Sequence, residues 1–460
     1  MTLSPEVSVC IPTRNQGAFL AAAVSSALAQ DVDNLEVLVH DDASEDDTAA
    51  VVAGFADPRV GYLRHPRQIG VAANRDSCLE AARGRYVAWL DSDDERLPGS
   101  LSVQLAVLDA HPEVALVHGG CVVVDAGGRR LPDWPAPFAQ DSIEPSPVAF
   151  SHLVAANELT TSTVVVRHGA HSDAGPFAGD IGPSSTDWEM WLRIALSGDV
   201  AYTSAPVARY RQHGDSISHT TAAGGERLRC NVRVLERVLR EQRDRIADPE
   251  RVATVAYAAL AAHAVLHAGD AYTRGARAEA LDAVALARRL QPSAHGRLAE
   301  LRQATLDGDD GACMRLTRAL LGELADKLGG TRLAHRLRAT ADGDEAWEAQ
   351  LRRAGAAVAR ITPADAVIAA IAKWDPTVVA ASGRAGCNYP DRSLHPDGYP
   401  RDGASAVAHL EALRAQRHVT HVVVPGFSAW WLDHYPELAR WLGAPLWQDR
   451  DCTIFEVGRA

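Results

Sequence analysis

Across residues 7–125, short and mainly apolar runs alternate with stretches in which apolar positions recur every three or four residues. Val7–Ile11 (VSVCI) reads as a buried strand, and Gln16–Gln30 then sets Phe19, Leu20, Ala23, Val24, Ala27 and Leu28 along one helical face. The alternation continues with a strand at Leu35–Val39, a helix at Asp46–Ala56, a strand at Val60–His65 and a helix at Val71–Ala82, with Gly84 in the place of a C-cap. A strand at Tyr86–Leu90, a helix at Pro98–His111 and two strands, Val114–His118 and Cys121–Asp125, complete the block. Strands alternating with helices predict an α/β fold built on a parallel sheet. In such sheets ligands bind beyond the carboxyl ends of the strands. Thr13-Arg14-Asn15, Asp41-Asp42 and Asp91-Ser92-Asp93 each follow a strand, so they are expected at one edge.

The pattern then loosens. Residues 129–185 carry more Pro, Gly and Ser and predict loops around one strand, Ser162–Val166. Ser185–Gly198 (STDWEMWLRIALSG) predicts a helix with Trp188, Trp191, Leu192 and Ala195 on its apolar side, and strands and an exit loop follow up to Ser218. From Glu226 the chain is rich in Ala, Leu and Arg and poor in strand formers, which predicts a helical connector over 226–355. One stretch is similar to tetratricopeptide hairpins, but no repeat of about 34 residues is present. Strand and helix patterns return over 356–460, a small α/β accessory domain. Its dense aromatic stretch HVVVPGFSAWWLDHYPEL reads as core. The division is therefore 1–225, 226–355 and 356–460.

Composition narrows the classes. A formal net charge of -13 argues against a nucleic-acid partner, which would require a basic face. The seven cysteines show no CxxC spacing, so neither a zinc site nor a disulfide framework is suggested. The first residues lack the charged and apolar regions of a signal peptide, and no uninterrupted apolar run approaches the roughly 18–20 residues of a membrane helix. The expectation is a cytoplasmic protein, with peripheral attachment at the inner face of the membrane left open.

Asp91 and Asp93, one residue apart on a turn, suit a hard divalent cation whose remaining ligands come from phosphate. Taken alone, the same residues also read as an acidic helix start before Pro98-Gly99-Ser100. The wider setting resembles the family 2 glycosyltransferases. VSVCIPTRNQGAFLAAAVSSALAQ is similar to their opening strand and helix, LEVLVHDDASEDDT to their second strand and acidic tail, and GVAANRDSCLEAARGRYVAWLDSDD to the block ending in the Asp-X-Asp motif. The resemblance spans residues 5–220 and implies the GT-A fold, a Rossmann-like mixed sheet. It implies that Pro12, Thr13, Arg14 and Asn15 line the nucleotide and that Asp42, with Asp41 second, meets the base. It also implies that Arg75 lies near the nucleotide and that Asp91, Ser92 and Asp93 serve ribose and metal, with Asp93 the direct ligand. Asp94 reads as a helix-start residue. Asp76 departs from the family's usual asparagine.

Within the same resemblance, Asp187 occupies the place of the general base of inverting members, with Thr186 where a glutamate is usual. By itself Asp187 also reads as an N-cap. Trp188 and Glu189 are candidates for the acceptor site, although a core tryptophan and a solvated glutamate are equally consistent with the pattern. In YRQHGDSIS, His213 matches a third metal ligand and Arg211 a diphosphate contact. The implied activity is transfer of a sugar from a UDP- or dTDP-sugar to a glycan, lipid-linked or protein acceptor, with Mn2+ or Mg2+ as cofactor. A non-catalytic GT-A scaffold that binds nucleotide sugar or glycan is the alternative, favoured by Thr186 and Asp76. A nucleotidyltransferase would need a glycine-rich basic loop after the first strand, and IPTRNQGAF has one Gly and one Arg.

Overall fold

The computed structural model describes residues 4–132, 137–138, 140–221, 225–329, 331–372, 377–389, 400, 402–429, 431–432 and 435–458. They form two compact units, Met1–Leu260 with Thr331–Leu333, and Ala261–Gly330 with Ala334–Ala460.

In the first unit the chain runs through β1 (Val7–Thr13), α1 (Gly17–Leu28), β2 (Leu35–Asp41), α2 (Thr48–Ala53), β3 (Val60–Arg64), α3 (Val71–Ala81) and β4 (Tyr86–Trp89). β5 (Glu95–Arg96), α4 (Ser100–Ala110), β6 (Val114–Asp125), β7 (Ser142–Glu144) and α5 (Ser146–Ala155) follow. After a 3-10 turn at Thr161–Thr163 come β8 (Val165–Arg167), α6 (His168–Ala174), α7 (Thr186–Ala195), β9 (Asp199–Gln212), α8 (Ile217–Thr220), α9 (Glu226–Glu241) and α10 (Pro249–Thr273), whose residues from Ala261 on belong to the second unit. The strands make one nine-stranded sheet in the order β3-β2-β1-β4-β8-β6-β9-β5, with β7 also on β9. The β3-β2-β1-β4 half is parallel, while β8 is antiparallel to both β4 and β6. The sheet is thus mixed. Strand–helix alternation accounts only for its first half.

Alternate residues of β1 (Val7, Val9, Ile11) join Val37 and Val39 of β2 and Leu20, Val24 and Ala27 of α1 in one buried core. This period-two pattern fixes the register and carries the strand ends to a common edge. Three local readings change. Gly84 is not a helix cap, because the α3 cap is Ala82. A Cβ at Gly84 would lie 2.5 Å from the Ser8 backbone nitrogen, so glycine lets β4 start against β1. The two strands expected over 114–125 are one strand, β6, whose pairing with β9 shifts around Gly119 and Gly120. The strand expected at Ser162–Val166 is split, its first half being the 3-10 turn.

α10 is, among the described residues, the one helix long and apolar enough to cross a bilayer by length and composition, and 56% of its apolar window is buried. The uninterrupted-run criterion missed it because His and Asp punctuate its alanines.

The second unit continues with α11 (Arg277–Leu290), α12 (His295–Asp307), α13 (Asp310–Leu328), α14 (Arg332–Ile361), β10 (Val367–Ala370), α15 (Thr377–Ser382) and β11 (Ala385–Asn388). It closes with α16 (Gly403–Arg417), β12 (His421–Pro425), α17 (Pro436–Leu442), β13 (Trp447–Gln448) and β14 (Cys452–Glu456). The five strands form a separate sheet, β11-β10-β12-β14-β13. Val422 and Val424 face one core with Leu410 and Leu438, and Val423 faces another with Leu351 and Val358, so both faces are covered. Trp431 and Tyr435 of the aromatic stretch are buried as expected, while Trp430 lies outside the described residues.

Candidate functional site

The loops after β1 and β2 are tied to each other. Both hold a non-glycine residue at positive φ, Asn15 at 52° and Ala43 at 57°, a conformation that persists only where surroundings enforce it. The Asn15 backbone N–H donates to Ser44 Oγ at 2.9 Å, its Oδ1 accepts from the Glu45 N–H at 2.8 Å, and Arg14 donates to the Asp42 carbonyl at 2.8 Å. Pro12 is the penultimate residue of β1. The Thr13 hydroxyl is buried without a hydrogen-bond partner. Asp42 accepts the Ile69 N–H at 2.5 Å and the Gly70 N–H at 3.0 Å, so its carboxylate fixes the entry to α3 at a glycine with φ 92°. Asp41 is fully buried and accepts from the Ser44 N–H and the Tyr62 hydroxyl, each at 2.7 Å. Both aspartates therefore shape the loop around them.

β4 delivers the second cluster. Asp91 receives an ion pair from Arg75 at 3.5 Å, and its backbone N–H donates to Ser162 Oγ at 3.0 Å. Ser92 is buried beside it. Asp93 Oδ2 meets His213 Nε2 at 2.9 Å, and the His213 ring packs 4.8 Å from Phe19. Asp94 is not at a helix start, since Gly99 caps α4 and that helix begins at Ser100. Its buried carboxylate accepts from Ser162 Oγ at 2.6 Å and from the Arg211 N–H at 2.8 Å. The Arg211 side chain donates to the Asp93 carbonyl at 2.9 Å and pairs with Glu95 at 2.7 Å, which commits it to binding the β4 loop onto β9.

α7 brings the third group. Ser185 is its N-cap residue, so Asp187 lies one residue inside the first turn and is not the cap. Asp187 Oδ2 accepts the Thr161 hydroxyl at 2.9 Å. Thr186 accepts from Arg75 Nη1 at 2.9 Å, so Arg75 spans the Asp91 loop and the start of α7. Trp188 is buried and donates Nε1 to the Leu153 carbonyl at 2.8 Å, which gives it a core role and no face for a sugar. Glu189 is buried too, paired with Arg193 at 2.7 Å and not solvated. Asp76 accepts the Phe177 N–H at 2.9 Å.

Negative charge dominates the edge. Burial pushes the Asp91 carboxyl up to about 6; Arg75 opposes the shift, while Asp93 and Asp187 add to it. Solvent still reaches 33% of the Asp91 side chain, which tempers that push. Burial and the charges of Asp93 and Asp91 hold Asp94 well above the carboxylate range. Among the described residues no group of three His, Cys, Asp or Glu side chains is gathered as a ready cation shell. Two oxygen-donor carboxylates with surplus negative charge nevertheless suit Mg2+ or Mn2+, which usually take one or two carboxylates and complete their shell from phosphate and water. A cavity of about 690 Å3 lined by Glu6, Asn34, Arg83, Arg85 and His168 opens at the opposite, amino end of the strands, away from these acids.

The family model for Glycosyl transferase family 2 matches residues 8–144, from β1 through β7. An uncharacterised Mycobacterium tuberculosis protein is 30% identical over 254 residues, 51% of this chain and 75% of its own length. The chain belongs to glycosyl transferase family 2. Another relative, 26% identical over 215 residues (46% of this chain, 79% of its own), is an Escherichia coli UDP-Glc:alpha-D-GlcNAc-diphosphoundecaprenol beta-1,3-glucosyltransferase, WfgD. The fold is shared with Staphylococcus aureus TarS 1–349 solved with UDP-GlcNAc, at 16% identity and a TM-score of 0.51 over 68% of this chain and 91% of that one. The chain spans 61% of the length of the first curated relatives it matches.

The structure brings together Arg75, Asp91, Asp93, Asp187 and His213, drawn from α3, β4, α7 and β9. Sequence reasoning missed Thr161 and Ser162. Their signal was a run of four hydroxyl residues, Thr160–Thr163, directly before an apolar strand, of which the pattern assigns Thr160 and Thr161 to a loop and Ser162 and Thr163 to the strand's start.

Proposed function

We propose that this family 2 protein is an inverting, metal-dependent glycosyltransferase that moves a sugar from a UDP- or dTDP-sugar to a hydroxyl of a lipid-linked glycan at the inner face of the membrane. The observation that carries the reading is the meeting of two acidic groups of different kinds. Asp91 and Asp93 lie on the loop after β4, and Asp187 opens α7 close enough to raise the Asp91 carboxyl by its charge. Inversion needs a carboxylate within hydrogen-bond reach of the acceptor hydroxyl, on the side opposite the leaving diphosphate. Asp187 is partly exposed, with Oδ2 oriented by the Thr161 hydroxyl and Oδ1 by the Trp188 N–H, and a remaining lone pair can receive the acceptor proton as the acceptor hydroxyl oxygen attacks the anomeric carbon and the nucleotide diphosphate leaves.

Asp93, beside His213, and Asp91 would hold the cation, which when bound neutralises charge on the departing diphosphate. Arg75 screens Asp91, and Asn15 and Thr13 line the β1 side where the nucleotide would lie. The E. coli relative's named acceptor, a diphosphoundecaprenol-linked sugar, supports the acceptor class. The UDP-GlcNAc bound by TarS supports the donor class. Thr186 and Asp76 favoured a non-catalytic scaffold from sequence. Each now has a structural partner, Arg75 and the Phe177 amide, so neither counts against catalysis.

The test is nucleotide release from a panel of UDP- and dTDP-sugars, with Mn2+ or with EDTA. Metal-dependent release is expected from the wild type. Asp187→Asn should lower turnover about 100- to 10,000-fold while UDP–Mn2+ still binds. Asp93→Asn should lose UDP–Mn2+ binding. A wild type that binds no nucleotide diphosphate in the presence of metal would refute the reading.

A further inference from the structure

The turn Thr161–Thr163 lies between α5 and β8, and all three of its side chains are buried. Two neighbouring hydroxyls of this turn point to different parts of the site. Thr161 Oγ1 donates to Asp187 Oδ2 at 2.9 Å, and the Trp188 N–H of the same helix donates to Oδ1 at 2.8 Å, so Thr161 supplies the side-chain restraint that comes from outside α7. Ser162 Oγ donates to Asp94 Oδ2 at 2.6 Å and accepts the Asp91 N–H at 3.0 Å. The turn itself is pinned. The Thr163 N–H and hydroxyl donate to the Thr160 carbonyl at 2.8 and 2.7 Å, and the Thr163 carbonyl accepts Gln104 Nε2 at 2.7 Å. The next carbonyl, Val164, accepts the Trp89 N–H at 3.0 Å and Arg96 Nη2 at 3.1 Å, locking the turn to the end of β4.

We infer that Thr161 and Ser162 are paired positioning residues that set the spacing between the Asp187 carboxylate and the Asp91–Asp93 loop. The inference rests on the glycosyl-transfer reading for the role of Asp187, and on the geometry alone for the link itself. Adjacent Cα atoms are held about 3.8 Å apart by the trans peptide. One peptide unit therefore connects the hydroxyl that orients the acceptor-side carboxylate with the one that orients the donor-side loop. A flexible carboxylate at α7 would sample rotamers that miss the acceptor, and about 1 Å of misplacement is costly to turnover. The two residues should act on separable quantities, Thr161 on turnover and Ser162 on nucleotide binding.

The experiment compares Thr161→Val, Thr161→Ser and Ser162→Ala with the wild type. It measures kcat and KM for the UDP-sugar turned over fastest, the Kd of UDP with Mn2+ by calorimetry, and Tm. Thr161→Val keeps the shape and loses the donor. It should lower kcat about 10- to 100-fold with KM and Kd within about twofold, and Thr161→Ser should restore kcat to within about threefold. Ser162→Ala should weaken UDP–Mn2+ binding about tenfold or more. A Thr161→Val protein with wild-type kcat overturns the inference, and so does one whose kcat, Kd and Tm fall together without rescue by serine. If Ser162→Ala does not fold, the Thr161 pair decides. A wild type that binds UDP–Mn2+ yet turns over no UDP-sugar defeats the catalytic reading instead. The inference then stands or falls on binding, lost in Ser162→Ala and kept in Thr161→Val.

Discussion

Asp91, Asp94 and Asp187 carry the same carboxyl group in three environments, and environment separates their roles. Asp94 has both oxygens committed to Ser162 and Arg211 and is buried, so it builds the loop. Asp91 keeps a solvent-facing portion, and Asp187, although it accepts from the Thr161 hydroxyl and the Trp188 N–H, stays partly exposed where Asp94 is closed off. The order and identity of these acids were legible in the sequence, because the motif fixes them. Their hydroxyl partners were not, since Ser162 lies 71 residues from Asp91 and Thr161 lies 26 from Asp187. Asp94 was misread because Pro98 and Gly99 postpone the helix to Ser100. At the far end of the strands, burial raises the Glu36 carboxyl, but hydrogen bonds from Arg83 and Ser8 outweigh it and leave the group below its ordinary value. Its contribution to stability is therefore present above the unfolded-state pKa and lost as pH falls through the folded one. Glu36→Gln should cost about 1 kcal/mol at pH 7, discounted because Arg83 is largely exposed. In urea titrations the gap from wild type should close as pH falls below the ordinary glutamate range.

β4 is the element on which the site depends, since Asp91 begins two residues after its last strand residue, Trp89. Its start is set by Gly84, where a Cβ would meet Ser8 N at 2.5 Å and Tyr86 O at 2.7 Å, both backbone atoms that cannot swing aside. Gly84→Ala should destabilise the fold by about 2 kcal/mol, read as a lowered Tm, and should weaken UDP–Mn2+ binding as the β4 tip shifts. β1, β2 and β4 and the helices between them were legible because their apolar runs are buried, while β3, at the sheet edge and largely exposed, was legible from its strand-forming residues alone. The 3-10 turn was not. Thr-Thr-Ser-Thr followed by Val-Val-Val has the β-branched composition of a strand, and the turn is held by tertiary hydrogen bonds to Asp187, Asp94, Gln104 and Arg96 that the local sequence does not reveal.

The whole molecule has separate cores, one around β1, β2 and α1 and others on the two faces of the second sheet. Calorimetry should therefore resolve more than one transition. UDP with Mn2+ at 100 times Kd should stabilise the transition of the N-terminal unit alone, by about 2.7 kcal/mol, and Gly84→Ala should lower that same transition. The second sheet's existence was legible in the sequence, but its use was not, because no chemistry-bearing motif marks it.

β9 bears on biosynthesis. It pairs with β6 from Val114 to Asp125 and carries His213 to Asp93 across 120 residues of chain. The stretch matched to the family ends at residue 144, short of β8, α7 and β9. A polypeptide halted there holds every nucleotide-side acid but leaves the long apolar margin of β6 without a neighbour, an open template for another chain. On the ribosome the same margin waits for some seventy further residues before β9 can cover it, so the exposed interval is set by the chain length between the two strands.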